Sequence, residues 1–235
     1  MRKILTFILA LLMLASFASC NGAHDIESGT DDEKTELDAS VGESIYLGSM
    51  IAYPSIKKSD IISITISNGN KYSFERTESE DTETFLLYYW DENGEKTAYI
   101  PDDLSENEDY NDIYAVEEND GYGSITKLDH LISTFGTLLF ESKVTLSGTE
   151  DERLAELKKY GFGEEGDPKE VTISYLSEGE TLTHVIRIGN IMADGVGYYY
   201  TVDNRSYVYT SHSKQFNYVF AGYNEFIKSN TATEK

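Results

Sequence analysis

Between residues 60 and 75 the side chains alternate strictly, with Ile62, Ile64 and Ile66 set against Ser63, Thr65 and Ser67. Asn68-Gly69 follows, and then Tyr72 and Phe74 alternate with Ser73 and Glu75. A period of two with a turn dipeptide at its centre predicts a β-hairpin with one buried face. Such a face cannot be left in water, so the rest of the chain must supply partners for it.

The same pattern recurs along the sequence. Residues 85–90 and 96–100 read as a second hairpin around Asp91-Glu92-Asn93-Gly94, closed by Pro101. After an acidic stretch, Leu128, Leu131, Ile132 and Phe135 stand at helical spacing, with Ser124 as the expected N-cap. A strand over 142–146 then leads to Thr149 and Glu152, which have capping-box spacing ahead of Leu154 and Leu157 and predict a connecting helix closed near Gly161. Val171, Ile173 and Tyr175, followed beyond Ser177-Glu178-Gly179-Glu180 by Leu182, Ile186 and Ile188, form a third hairpin. Residues 198–202 and 207–210 form a fourth across Asp203-Asn204-Arg205, and Phe216, Val219, Phe220, Tyr223 and Ile227 predict a final helix. The element order suggests an α+β body of two similar halves, each of antiparallel hairpins followed by a packing helix. The expected boundaries are 43–146 for the first half, 147–228 for the connecting helix with the second half, and 229–235 for a disordered tail.

Composition bears on function more than on fold. The chain of 235 residues has 42 acidic against 19 basic side chains, a formal charge of -23, yet 40% of its residues are hydrophobic and 12% aromatic. That apolar content is too high for a disordered acidic tail. The negative field repels phosphate, so no nucleic-acid partner is expected.

The N-terminus reads as an export signal. Met1-Arg2-Lys3 is basic, residues 4–15 are almost wholly apolar, and Phe17-Ala18-Ser19-Cys20 resembles the lipobox of bacterial lipoproteins, with Phe where Leu is usual. Residues 1–19 are then the signal peptide and Cys20, the single cysteine, is the lipidation site. Cleavage after Ala18 is the alternative, and would leave a free thiol. Residues 20–42 read as an acidic flexible tether. The expected location is the extracytoplasmic face of a bacterial membrane, reached through the N-terminal lipid.

Tyr160-Gly161-Phe162, Pro168, the strand over 171–175, Ile188-Gly189, the tyrosines of 198–200 and Tyr207-Val208-Tyr209 together resemble an uncharacterised bacterial family. It is an extracytoplasmic domain of unknown function, found on lipoproteins and membrane-anchored proteins and often encoded beside auxiliary components of gliding-type ABC-2 transport systems. The resemblance spans roughly residues 60 to 220, with Phe162 in place of the usual Leu. It implies membrane transporter subunits as partners and assigns no catalytic residues.

Candidate chemistry is sparse. Ser-x-x-Lys occurs twice, at Ser124/Lys127 and Ser211/Lys214, but no Lys-Thr-Gly strand accompanies it, and helix N-caps account for both serines. His24, His130, His184 and His212 have no metal-site spacing, and His184 reads as a hydrogen-bonded, partly buried imidazole. Among the acids of residues 101–123, Asp102, Asp103, Glu106, Glu108, Asp109 and Asp112 are candidate calcium ligands. Tyr198, Tyr200, Tyr207 and Tyr209 form a candidate contact face for glycan or peptide. No Gly-rich nucleotide loop is present. The sequence therefore predicts a non-enzymatic, lipid-anchored binding or assembly module without a cofactor, accessory to an ABC-type transport system as the resemblance implies, with a surface glycan- or peptide-binding lipoprotein as the alternative.

Overall fold

The four hairpins expected from the alternation all form, and they join edge to edge. The computed structural model describes residues 44–46, 49–77, 84–101, 110–117, 124–163, 166–203 and 206–228, with side chains from Met50 onward. All of them belong to the unit spanning residues 39–235. In chain order the strands are β1 (Ser44–Tyr46), β2 (Ser49–Ile51), β3 (Ile61–Ser67), β4 (Lys71–Arg76), β5 (Phe85–Trp90), β6 (Lys96–Ala98), β7 (Val116–Glu117) and β8 (Ile125–Thr126). Helix α1 (Lys127–Gly136) is followed by β9 (Leu139–Phe140), β10 (Ser142–Thr145) and helix α2 (Glu150–Lys159). The chain continues through β11 (Lys169–Ser177), β12 (Glu180–Ile191), β13 (Gly197–Val202) and β14 (Tyr207–His212).

Nine strands make one sheet in the order β10-β14-β13-β12-β11-β3-β4-β5-β6, and every neighbouring pair is antiparallel. The expectation of two α+β halves, each with its own packing helix, is therefore wrong. β3 and β11 pair directly, with Ile64 opposite Ile173 and Ile66 opposite Val171, so the apolar faces of the two stretches run together. Separate halves would each have left a row of unpaired backbone groups at β3 and at β11. Pairing them removes two edges and merges the cores.

One face of the sheet is apolar. Ile64, Ile66, Phe74, Val171, Ile173, Ile186 and Val202 have no exposed surface. A layer made of α1, the small β1-β2-β9 sheet and several 3-10 turns covers it, and the described buried hydrophobic residues other than Ile51, Leu146 and Val208 form one cluster. Helix α1 contributes Leu128, Leu131, Ile132 and Phe135, as its spacing predicts. Each such side chain is worth roughly 1.5–3 kcal/mol on burial. Its N-cap is Thr126 and not Ser124: the Thr126 hydroxyl accepts from the Asp129 amide at 3.0 Å.

Two further expectations are corrected. The final helix is replaced by 3-10 turns, Ser213–Val219 and Tyr223–Phe226. Phe216 and Val219 lie three apart, which suits three residues per turn as well as an α-helix, and both are fully buried while Phe220 is exposed. At the start of β3 the register slips, so that Tyr175 opposes Ile61. The bulge turns Ile62 outward and seats Ile61 in the core.

Candidate functional site: a cleft beneath a helix pinned at both ends

Helix α2 lies outside the core. None of its residues is buried. It forms because Thr149 and Glu152 complete the predicted capping box, with the Glu152 amide donating to the Thr149 hydroxyl at 3.3 Å and the Thr149 amide donating to the Glu152 carboxylate at 2.7 Å. The bond from the Thr149 amide holds the Glu152 carboxyl below its usual range. Acidic residues fill its first turn and Lys158 and Lys159 its last, both in the sense that the helix dipole favours.

Both ends are fixed to the sheet. Before the helix, the Leu146 amide donates to the Ser206 carbonyl at 2.7 Å. After it, the Asn190 amide donates to the Tyr160 carbonyl at 2.8 Å, and the Tyr160 and Tyr199 rings meet at 4.8 Å. Burial and the nearby Glu156 charge raise the Tyr160 hydroxyl above its ordinary value. Two glycines permit this approach. Gly161 has φ +92, and a Cβ there would fall 2.5 Å from the Asn190 side chain; a Cβ on Gly189 would fall 2.2 Å from the Tyr160 carbonyl oxygen. Asn190 lies in the irregular stretch where β12 and β13 lose register, between Ile188 and Ile191. The motifs Tyr160-Gly161-Phe162 and Ile188-Gly189, far apart in sequence, therefore meet at one end of α2.

Between these anchorages a cleft of about 370 Å³ opens. Leu146, Leu154, Leu157 and Phe162 give it apolar walls, while Arg187, Thr201, Ser206, Arg153 and Glu150 provide polar groups. Arg187 and Thr201 are cross-strand neighbours on β12 and β13, on the face of the sheet opposite the core. Arg187 Nε donates to the Glu170 carboxylate at 3.0 Å. Arg153 makes no ion pair or side-chain hydrogen bond with any described residue.

The residues singled out from the sequence fall elsewhere. Cys20 and the candidate calcium ligands Asp102, Asp103, Glu106, Glu108 and Asp109 lie outside the described residues. Asp112 is exposed within a 3-10 turn, Tyr110–Ile113. Tyr200 and Tyr209 do not present a contact face. Both are fully buried, their rings stack at 5.2 Å, and the Tyr200 hydroxyl donates to the Leu139 carbonyl at 2.8 Å. They are cross-strand partners on the core face, where Tyr200 meets Phe216 and Tyr209 meets Phe140, and Tyr198 and Tyr207 pack against the same cluster. The tyrosine that points the other way is Tyr199.

Neither Ser-x-x-Lys pair spans a helical turn. Ser124 precedes β8, and Lys127 lies 3.6 Å from Glu225. Ser211 belongs to β14, and its hydroxyl donates to Gln215 at 2.9 Å. The described histidines are engaged: His130 Nδ1 is 2.6 Å from Glu117, His184 Nδ1 is 2.6 Å from Asp203, and His212 Nδ1 accepts the Lys214 amide at 3.2 Å, while His24 lies outside the described residues. The cleft itself was missed by the sequence reading. The available signal was a capped helix with too few apolar positions to bury itself.

Comparison with protein-family models, curated proteins and solved structures finds no match.

Proposed function

We propose that the chain is a lipid-anchored, extracytoplasmic binding module whose ligand site is the cleft beneath α2, and that it serves as an accessory subunit of an ABC-type transport system. The observation that carries the reading is the helix fixed at both ends over a partly apolar, concave cleft with polar groups in its lining. Attachment rests on Cys20. Among the described residues no helix is long and apolar enough to cross a membrane. The transporter link comes from the family resemblance, whose motifs converge on the anchorage of α2. The tyrosine-row alternative for glycan or peptide lacks support, since Tyr200 and Tyr209 are consumed by the core.

The test is labelling of growing bacteria with an alkyne fatty acid, followed by solubilisation and co-purification from membranes. Label should enter the wild-type chain and be lost in Cys20→Ser, and permease subunits should co-purify with the wild type. An unlabelled chain in the soluble fraction would remove the anchor, and a labelled chain without transporter subunits would remove the partner.

A further inference from the structure

The charges around the cleft specify what kind of ligand it can hold. Arg187 is already matched by Glu170 at 3.0 Å. Glu150 stands on the helix side of the opening, and Arg153 is uncompensated among the described residues. Arg187 with Glu170, and Arg153 beside Glu150, sum to no net charge, and among the described residues Arg153 is the lining guanidinium whose donors no carboxylate takes, so it can pair one singly charged group. A doubly charged phosphate would meet too little positive charge and the Glu150 carboxylate besides.

The shape of the cation adds a second constraint. A guanidinium offers parallel N–H donors that fit the two oxygens of a carboxylate. The remaining wall is hydrocarbon, from Leu154, Leu157 and Phe162. Leu154 is 51% exposed, so a guest lying against it would remove apolar surface from water on both sides. A volume of about 370 Å³ is near the lower end for small-molecule sites.

From this we infer that the cleft binds a monocarboxylate with an apolar body, its carboxylate on Arg153 and its hydrocarbon between Leu154, Leu157 and Phe162. The inference deepens the binding-module reading and rests on it for the choice of site. It involves association alone, with no bond made or broken.

The test uses the full chain carrying Cys20→Ser, titrated calorimetrically at neutral pH with octanoate, 1-octanol and inorganic phosphate. Octanoate should bind saturably and at least about tenfold more tightly than octanol, the equivalent of one charge-assisted contact. Arg153→Gln should weaken octanoate about tenfold or more and leave octanol unchanged, and Arg153→Lys should recover part of the loss. Leu157→Trp, which fills the cleft, should abolish both. Circular dichroism melts establish that each variant is folded. Octanoate binding that ignores Arg153→Gln, phosphate binding as tight as that of octanoate, or no octanoate binding to a folded chain would each overturn the assignment. Fatty-acid labelling at Cys20 and co-purification do not depend on octanoate, so failure of the ligand and failure of the module are read separately.

Discussion

Nδ1 of His184 donates to one carboxylate oxygen of Asp203 at 2.6 Å, and the other oxygen of Asp203 accepts the Val185 amide at 2.8 Å. Asp203 reaches both from the end of β13 with a left-handed backbone, φ 53. The imidazole is further held by the Tyr53 ring, stacked at 4.3 Å, and by the Tyr175 hydroxyl, 3.1 Å from Nε2. One short side chain thus ties the β13–β14 turn to the adjacent strand β12. Asp203→Ala should cost about 1–3 kcal/mol, because two donors lose their acceptor. Asp203→Asn should cost less, since an amide oxygen still accepts and Asn tolerates this backbone. Urea denaturation of both variants checks the order.

The cluster of Glu117, His130 and Tyr218 makes stability depend on pH at both extremes. The hydrogen bond from His130, aided by one from Tyr218, holds the Glu117 carboxyl below its usual 4.5. Its contribution is present above that value and lost as pH falls through the depressed one. Burial, with the bond to Glu117, pushes the Tyr218 hydroxyl up to about 12. That contribution is complete below pH 10, the ordinary tyrosine value, and declines as pH rises toward 12. Tyr218→Phe should lower stability at neutral pH, flatten the alkaline decline and shrink the acid-side loss, as measured by melting temperature against pH.

The anchorage of α2 can be loosened without touching the core. Thr149→Ala should cost about 0.5–2 kcal/mol of local stability. Gly189→Ala places a methyl group against the Tyr160 carbonyl and should release the other end of the helix, at a cost of about 1–3 kcal/mol. In each case amide hydrogen exchange should quicken over residues 150–159 first, while α1 remains protected. Equal acceleration in both helices would show that α2 is not a separate element.

Ile173 is fully buried on β11 and opposite Ile64 on β3, at the join of the sheet. Ile173→Ala should cost about 2–5 kcal/mol. The loss should appear as one earlier transition, identical by tyrosine fluorescence and far-ultraviolet circular dichroism. Two separated transitions would mean that the stretches on either side of the join are independent units.

Local rules were written plainly in the chain. Alternation and the Asn68-Gly69 dipeptide specified β3 and β4, with Gly69 at φ +104, and the spacing of Leu128, Leu131, Ile132 and Phe135 specified the buried face of α1. The Thr149–Glu152 box was legible because all its partners lie within one turn. What could not be read is which edge meets which. β3 and β11 carry the same alternation as strands that would belong to separate sheets, and nothing local records their pairing. The cleft was hidden for the same reason, since Arg153 and Arg187 line one space only once both ends of α2 are bonded to distant parts of the chain. The closing helix was misread because apolar residues three apart satisfy both kinds of helix.

The join between β3 and β11 also sets a problem of timing. During synthesis β3, β4, β5 and β6 are complete well before β11 exists, and a meander of these four strands would present β3 as an open edge flanked by Ile64 and Ile66. Such an edge pairs readily with the same edge of a neighbouring chain. The long delay before closure makes this a slow-folding topology. Its yield should fall as chain concentration rises, with dimers joined through β3 as the first product of failure.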